Sequence, residues 1–294
     1  MERILVIGAT GRSGGPVARR LHRDGATVRI LARDPERARA AFGPGYEIAA
    51  GDVESPDSVR AALTDCTGVH VGITGGPRPR DYDRIEHLGT ATVARLAAEA
   101  GVRLLTYVSG STVRAEHAGF PGTAAKLAAE EAIRASGVPF TVFRPSWFME
   151  SLPSFVRGTR ATVPGRQQMP YRFLAADDFA GMVSAAHRTG TATGRTLTVL
   201  GPQALSIPEA LAEYCAVAHP GSKVTAAPLG LLRVVAALTR DAALATAVGS
   251  MAYFQDATEA GDPAEADDLF GAPTTTVAEW SHRAAGQRAS TRTA

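Results

Sequence analysis

Gly8-Ala9-Thr10-Gly11-Arg12-Ser13-Gly14 is the stretch on which the fold turns. An apolar run of strand character, residues 3–8, leads straight into it, and a helical pattern over residues 16–23 follows. Glycines between a strand and a helix allow three things at once: a tight turn at Gly8, close approach of backbone N–H groups to a ligand at Gly11, and tight helix–strand packing at Gly14. The helix start also offers unpaired N–H donors and the positive end of its dipole, which suit the pyrophosphate of a dinucleotide.

Outward from this loop the first half of the chain alternates short apolar runs with helical patterns. Strands are expected at residues 3–8, 27–32, 46–49, 69–73, 103–109 and 140–144, and helices at 16–23, 35–41, 56–63, 84–100 and 123–136. The runs are continuously apolar, as in strands covered on both faces. Asp34-Pro35 and Ser55-Pro56 place a proline at the first helical position behind a capping residue. The order predicts an α/β fold with a doubly wound parallel sheet, the Rossmann arrangement. Beyond about Trp147 the pattern loosens: a short helix and loop at 151–165, strands at 171–175 and 195–200, and helices at 177–187, 207–218 and 229–248. The expected organisation is a dinucleotide-binding domain over residues 1–150, a smaller α/β substrate or lid lobe over 151–285 with some segments returning to the sheet, and a disordered tail from Gly286 to Ala294.

Composition narrows the function class. With 31 Lys and Arg against 29 Asp and Glu, the 294-residue chain carries a formal charge of +2. That balance gives no electrostatic reason to expect a nucleic-acid or membrane-surface partner. A hydrophobic share of 45% excludes disorder over most of the chain. Cys66 and Cys215 stand far apart and make neither a disulfide framework nor a metal motif, so no metal is expected. The longest apolar stretch, Ala226 to Leu238, is broken by Arg233 and falls short of the ~18 residues of a membrane span. The first residues show no secretory pattern. The expectation is a soluble cytoplasmic protein with a small-molecule substrate, either a monomer or a homodimer.

The glycine spacing is G-x-x-G-x-x-G, and with Ala9-Thr10 it resembles the extended and atypical short-chain dehydrogenase/reductases, in particular their NmrA-like group. The resemblance extends through Arg33-Asp34-Pro35, Gly51-Asp52-Val53, Ala98-Glu99-Ala100-Gly101-Val102, Lys126 with Glu130, Ser136-Gly137-Val138-Pro139-Phe140-Thr141 and Arg144-Pro145-Ser146-Trp147-Phe148-Met149-Glu150. It implies an NAD(P)-binding oxidoreductase whose cofactor contacts include Gly8, Thr10, Gly11, Arg12, Ser13, Gly14, Ser109, Lys126 and Pro145. It also implies that Asp52 and Val53 flank the adenine and that Thr74 and Gly75 lie against the phosphates or the nicotinamide ribose. An NAD binder wants an acidic residue at the end of the second strand. Here Arg33 takes that place, with Arg12 in the glycine loop. Their planar, permanently charged forks suit a 2′-phosphate, so NADP is expected over NAD.

In the short-chain dehydrogenases a serine, a tyrosine and a lysine do the chemistry, with the tyrosine four residues before the lysine. Lys126 fits the lysine, but Gly122 stands where the tyrosine would be, and Ser109 and Ser111 fall in the serine region. General acid catalysis needs a donor within hydrogen-bond reach, and glycine supplies none. Three routes are open: Lys126 itself as acid or base, as the resemblance to isoflavone and phenylpropanoid reductases implies; His117 as donor; or a quinone-like substrate protonated by solvent. Trp147, Phe148 and Met149 follow the sixth strand at its C-terminal end, where open α/β sheets bind ligands, and are expected to line an aromatic-lined substrate pocket. The resulting expectation is an NADPH-dependent reductase of a quinone, enone or aromatic carbonyl. The alternatives are a non-catalytic NADP(H)-sensing regulator and a non-redox enzyme of the same fold.

Overall fold

The computed structural model describes residues 2–292. They divide into two compact units, the first built from residues up to 145 with 176–199 and 260–271, the second from 146–175, 200–259 and the residues from 272 onward. The first unit's continuous stretch ends at Pro145, and two later segments join it.

Seven strands form the sheet of the first unit: β1 (Arg3–Ile7), β2 (Thr27–Ala32), β3 (Glu47–Ala50), β4 (Gly68–Val71), β5 (Leu104–Val108), β6 (Phe140–Pro145) and β7 (Arg195–Val199). Their spatial order is β7-β6-β5-β4-β1-β2-β3, and every neighbouring pair is parallel. This is the doubly wound arrangement. The order reverses between β1 and β4, the point at which such sheets open a crevice at their carboxyl ends. β4 and β5 are buried along their whole length, which explains the continuous apolar runs. One face of the sheet packs a core of Leu5, Val69, Leu105 and Val142 against Val93, Leu96 and Ile133 from the helices.

The helices begin where the chain supplies caps. Asp34 accepts the Arg37 N–H at 3.0 Å to open α2 (Pro35–Phe42), and Ser55 caps α3 (Pro56–Leu63). α1 (Gly14–Arg23) starts two residues earlier than expected, directly from the glycine loop. The helix expected at 84–100 is not uniform. Tyr82–Gly89 is π-helical, and only Thr90–Glu99 (α4) is α-helical. Lys126 lies on α5 (Pro121–Ala135), and α6 (Ala176–Thr189) completes the layer.

The second unit has its own core, with Tyr171, Phe173, Ile207, Leu211, Tyr214 and Met251 at its centre. It holds strands that no apolar run announced: Arg160–Pro164 pairs in parallel with Lys223–Ala227 and antiparallel with Val156–Arg157. In place of the strand expected at 171–175, Pro170–Arg172 pairs with Ala204–Ser206, and Leu174 makes an isolated parallel bridge to Phe148. The helix expected at 229–248 is two helices, Leu229–Thr239 and Ala242–Phe254. Arg240 adopts φ +53°, and Asp241 accepts the Leu244 N–H at 3.0 Å, so a capping carboxylate restarts the helix where periodicity alone reads through. The residues expected as a disordered tail are helical from Gly286 to Arg292, within Val277–Arg292, while Thr293 and Ala294 lie outside the described residues. Among the described residues no helix is long and apolar enough to cross a membrane, and no cluster of His, Cys, Asp or Glu is placed to hold a metal ion.

Candidate functional site

At the carboxyl ends of β1, β2 and β4 the first unit opens a cleft of about 450 Å³. Gly8 forms its floor with φ +90°, and a Cβ there would stand 2.2 Å from the Gly72 carbonyl oxygen. A Cβ on Gly14 would stand 2.3 Å from the Gly8 carbonyl oxygen. The turn between β1 and α1 is thus close-packed backbone on backbone, with Gly11 N–H donating to the Gly8 carbonyl at 2.9 Å. Ser13 makes no side-chain cap, and the first turn of α1 holds no acidic residue. The N-terminal N–H groups of α1 therefore meet no carboxylate of their own helix, as anion binding requires.

Gly8, Thr10, Gly11, Arg33, Asp52, Val53, Thr74 and Gly75 all line this cleft. Arg12, Ser13 and Gly14 follow in the same loop without lining it, and Arg12 is exposed. Asp34 also lines the cleft, but its carboxylate is committed to capping α2. Arg33 and Arg12 join no ion pair among the described residues, and neither does Arg37, a cleft residue that the sequence reading missed. Its only signal was its place in the first turn after Asp34-Pro35. Asp81, Arg84 and Ile85 line the opposite wall from the helical segment after β4.

Lys126 does not pair with Glu130. Its Nζ lies 2.5 Å from Glu86 Oε1, donates to the Val108 carbonyl at 3.2 Å, and stands 5.6 Å from the centre of the Tyr107 ring. Glu86 is 1% exposed, and its other oxygen accepts the Gly75 N–H at 3.0 Å. Lysine, carboxylate and cleft wall are thereby joined in one chain of contacts. Glu86 sits forty residues from Lys126 in sequence, on a helical stretch whose register is π, so no local spacing revealed the pair.

Glu130 is spoken for elsewhere. It accepts from Ser109 Oγ at 2.6 Å, from Arg144 through two nitrogens at 2.9 and 2.7 Å, and from Arg134 at 2.9 Å. Burial raises its carboxyl, but Arg144 and Ser109 outweigh that and hold it below the ordinary carboxylate value. The Ser109 hydroxyl is therefore bound inside this buried cluster. His117 is held within its own loop, its Nδ1 3.2 Å from the Thr112 carbonyl oxygen and its Nε2 3.4 Å from Arg114. Neither stands in the cleft lining with the glycine loop. Pro145 ends β6 buried, with its carbonyl accepting the Ser111 N–H at 2.9 Å.

Trp147, Phe148 and Met149 belong to the second unit. The Trp147 ring packs 4.9 Å from Phe254 and 6.0 Å from Tyr171. Met149 is 1% exposed in that unit's core, so its side chain is packing rather than pocket surface.

The sequence shows no tyrosine near Gly122, yet the fold brings one there. A Cβ built on Gly122 lies 3.3 Å from the Tyr82 ring, and one built on Gly75 lies 2.5 Å from the same ring. Tyr82 is half-buried between the start of α5 and the cleft wall.

A family model described as NAD(P)H-binding matches residues 8–185. The chain is similar to the (4-alkanoyl-5-oxo-2,5-dihydrofuran-3-yl)methyl phosphate reductase of Streptomyces griseus, 36% identical over 218 residues that cover 73% of each protein. It is also similar to the NAD(P)H azoreductase of Xenophilus azovorans, 28% identical over 73% of each. Among solved structures, the Citrobacter sp. triphenylmethane reductase complexed with NADP(H) superposes with a TM-score of 0.71 at 20% identity, covering 96% of this chain and 99% of that one. The NADPH-dependent quinone oxidoreductase of Escherichia coli complexed with NADPH gives the same TM-score, identity and coverage. At that identity the structural likeness speaks for the fold.

Proposed function

The chain belongs to the NAD(P)H-binding family, and from that premise we propose that it is an NADPH-dependent reductase of a small quinone, enone or aromatic carbonyl compound. The cleft carries the cofactor half of this reading. A glycine turn with no room for a side chain leads into a helix N-terminus free of its own carboxylates, beside arginines that join no ion pair among the described residues. These residues fit a phosphorylated dinucleotide. Gly8, Gly11 and the N–H groups of α1 would hold the pyrophosphate, Asp52 and Val53 the adenosine end, and Arg33 with Arg37 and Arg12 the 2′-phosphate. Thr74 and Gly75 would face the nicotinamide half. When bound, the reduced nicotinamide supplies a hydride.

The chain's own groups do the rest. Glu86 pins Gly75 and Lys126 together, so the cleft wall and the lysine form one rigid element. The Lys126 ammonium puts a fixed positive charge beside that wall, which favours charge building up on a substrate oxygen. The names of the curated relatives support reduction as the reaction class, and azo and furanone compounds as the kind of conjugated, electron-poor acceptor to try first.

The test is a fluorescence titration with NADPH and NADH, followed by the loss of NADPH absorbance with a panel of quinones, aromatic enones, azo dyes and furanones. Tight NADPH binding with turnover of at least one acceptor is expected, and Lys126→Ala should abolish that turnover. NADP bound in preference to NADPH, with every acceptor left untouched, would replace the reductase with a redox sensor.

A further inference from the structure

The groups that could give a proton to a reduced substrate are few in the first unit, and most are already engaged. Ser109 donates to Glu130, His117 is held by Thr112 and Arg114, and Lys126 is bound to Glu86 and the Val108 carbonyl. Tyr107, under Lys126, is fully buried, its hydroxyl without a hydrogen-bond partner among the described residues and held protonated by burial and by the charges of Glu86 and Glu130. Tyr46 is packed against His22 and Phe42, at the other end of β3 from the cleft. Tyr82 remains. It is half-buried, its hydroxyl makes no hydrogen bond among the described residues, and its ring lies between Gly75 of the cleft wall and Gly122 at the start of the lysine helix.

Its neighbours have the form of a built position. The Tyr82 ring meets Phe120 edge-on, with centroids 5.9 Å apart. A side chain on Gly75 would collide with the ring at 2.5 Å, and one on Gly122 would need the space Phe120 and Tyr82 occupy, at 2.7 and 3.3 Å. One turn along the same π-helical segment stands Glu86, the partner of Lys126. The segment thus delivers a phenol and the lysine's counter-ion to the same wall.

We propose that Tyr82 is the proton donor of the reduction, entering from the segment after β4 rather than from α5. The proposal rests on the reductase reading given above. In the step, the substrate carbonyl carbon accepts a hydride from the reduced nicotinamide, and the C=O π pair moves onto oxygen. The O–H bond of Tyr82 breaks as a new O–H bond forms on the substrate. NADPH is oxidised to NADP, the carbonyl is reduced to an alcohol, and the phenolate recovers its proton from water.

Tyr82→Phe removes only the hydroxyl and keeps the ring that packs on Phe120, so it isolates the proton. With a carbonyl acceptor, kcat should fall about 100-fold or more, the usual weight of a positioned general acid, while NADPH affinity stays within about twofold. With a cationic triphenylmethane dye, which takes a hydride and needs no proton, the rate should stay within about twofold. Equal losses on both acceptors would make the hydroxyl structural and overturn the proposal, and so would no loss on either. A second measurement needs no turnover: nitration by tetranitromethane, mapped by mass spectrometry, should reach Tyr82 in the free protein and be blocked by saturating NADP. Nitration undiminished by NADP would place the phenol away from the nicotinamide and defeat the assignment. A wild-type protein whose Tyr82 is protected by NADP, yet which passes hydride from NADPH to none of the acceptors offered, would defeat the reductase reading itself and the proton-transfer role with it.

Discussion

At the scale of single residues, backbone geometry and unpaired charge do most of the work in the cleft. Gly8 combines φ +90° with a missing Cβ that would sit 2.2 Å from a backbone oxygen, and backbone cannot step aside as a side chain can. Gly8→Ala is therefore expected to cost about 2 kcal/mol or more in urea unfolding and to remove NADPH binding, and an unchanged midpoint would contradict the turn geometry. Arg33 is exposed, lines the cleft and has no ion pair among the described residues. A charge-assisted bond to a 2′-phosphate carries about 1.5–3 kcal/mol, so Arg33→Ala should weaken NADPH roughly 10- to 100-fold and leave NADH nearly untouched. Equal weakening of both would remove the basis for preferring NADP. Arg33 was legible in the sequence because it directly follows a strand. Arg37 was not, because its reach depends on where Asp34 starts α2.

At the scale of elements, buried polar contacts tie strands to helices. His70 on β4 contacts Thr106 on β5 at 2.9 Å, and Thr106 contacts His187 on α6 at 3.0 Å. Burial is the main cause that pushes His70 down to about 3 and His187 down to about 4, with the charge of His187 adding to the first and that of Arg103 to the second. Both are neutral in the folded protein near neutrality, while in the unfolded chain a histidine protonates near 6.5. The unfolded state then binds the extra protons, so this contribution to stability is complete above about pH 6.5 and is lost as pH falls toward the folded values. The expected slope is about 1.4 kcal/mol per pH unit for each histidine. Glu130, held below the ordinary carboxylate value, adds its own loss only at more acidic pH. Urea unfolding between pH 7 and 5 should show a steeper loss for the wild type than for His70→Gln, and parallel slopes would remove His70 from the account. The π-helical stretch Tyr82–Gly89 is the element that sequence periodicity described least well. Its wider turn places Tyr82 and Glu86 on the wall of the lysine helix, a displacement that a 3.6-residue pattern does not show.

At the scale of the molecule, the near-balance of 31 basic and 29 acidic residues means that attraction for an anionic cofactor is local to the cleft rather than a property of the whole surface. Binding there should stabilise the folded chain by mass action. At a hundred times its Kd, NADPH is expected to add about 2.7 kcal/mol and to raise the melting temperature by several degrees. Arg33→Ala at the same NADPH concentration should lose about half of that rise or more. A rise of equal size with NADH in the wild type would speak against selection by the phosphate.

The sequence by itself determined the parallel sheet, the glycine turn and part of the cleft lining, because each is written in contiguous residues: apolar runs, a capping Asp-Pro or Ser-Pro, glycines at fixed intervals. It was also sufficient to show that Gly122 holds no donor. Only the tertiary structure decided the partners of the site. Lys126 meets Glu86 and not Glu130, Ser109 turns to Glu130, and Tyr82 comes to lie beside Gly122 forty residues away in the chain. The physical reason is the crossover connection of a parallel sheet: it brings the carboxyl ends of β4 and β5 side by side, while their following segments stay remote in sequence. Which buried carboxylate satisfies which cation is then settled by geometry and desolvation across strands, and no local pattern encodes that choice.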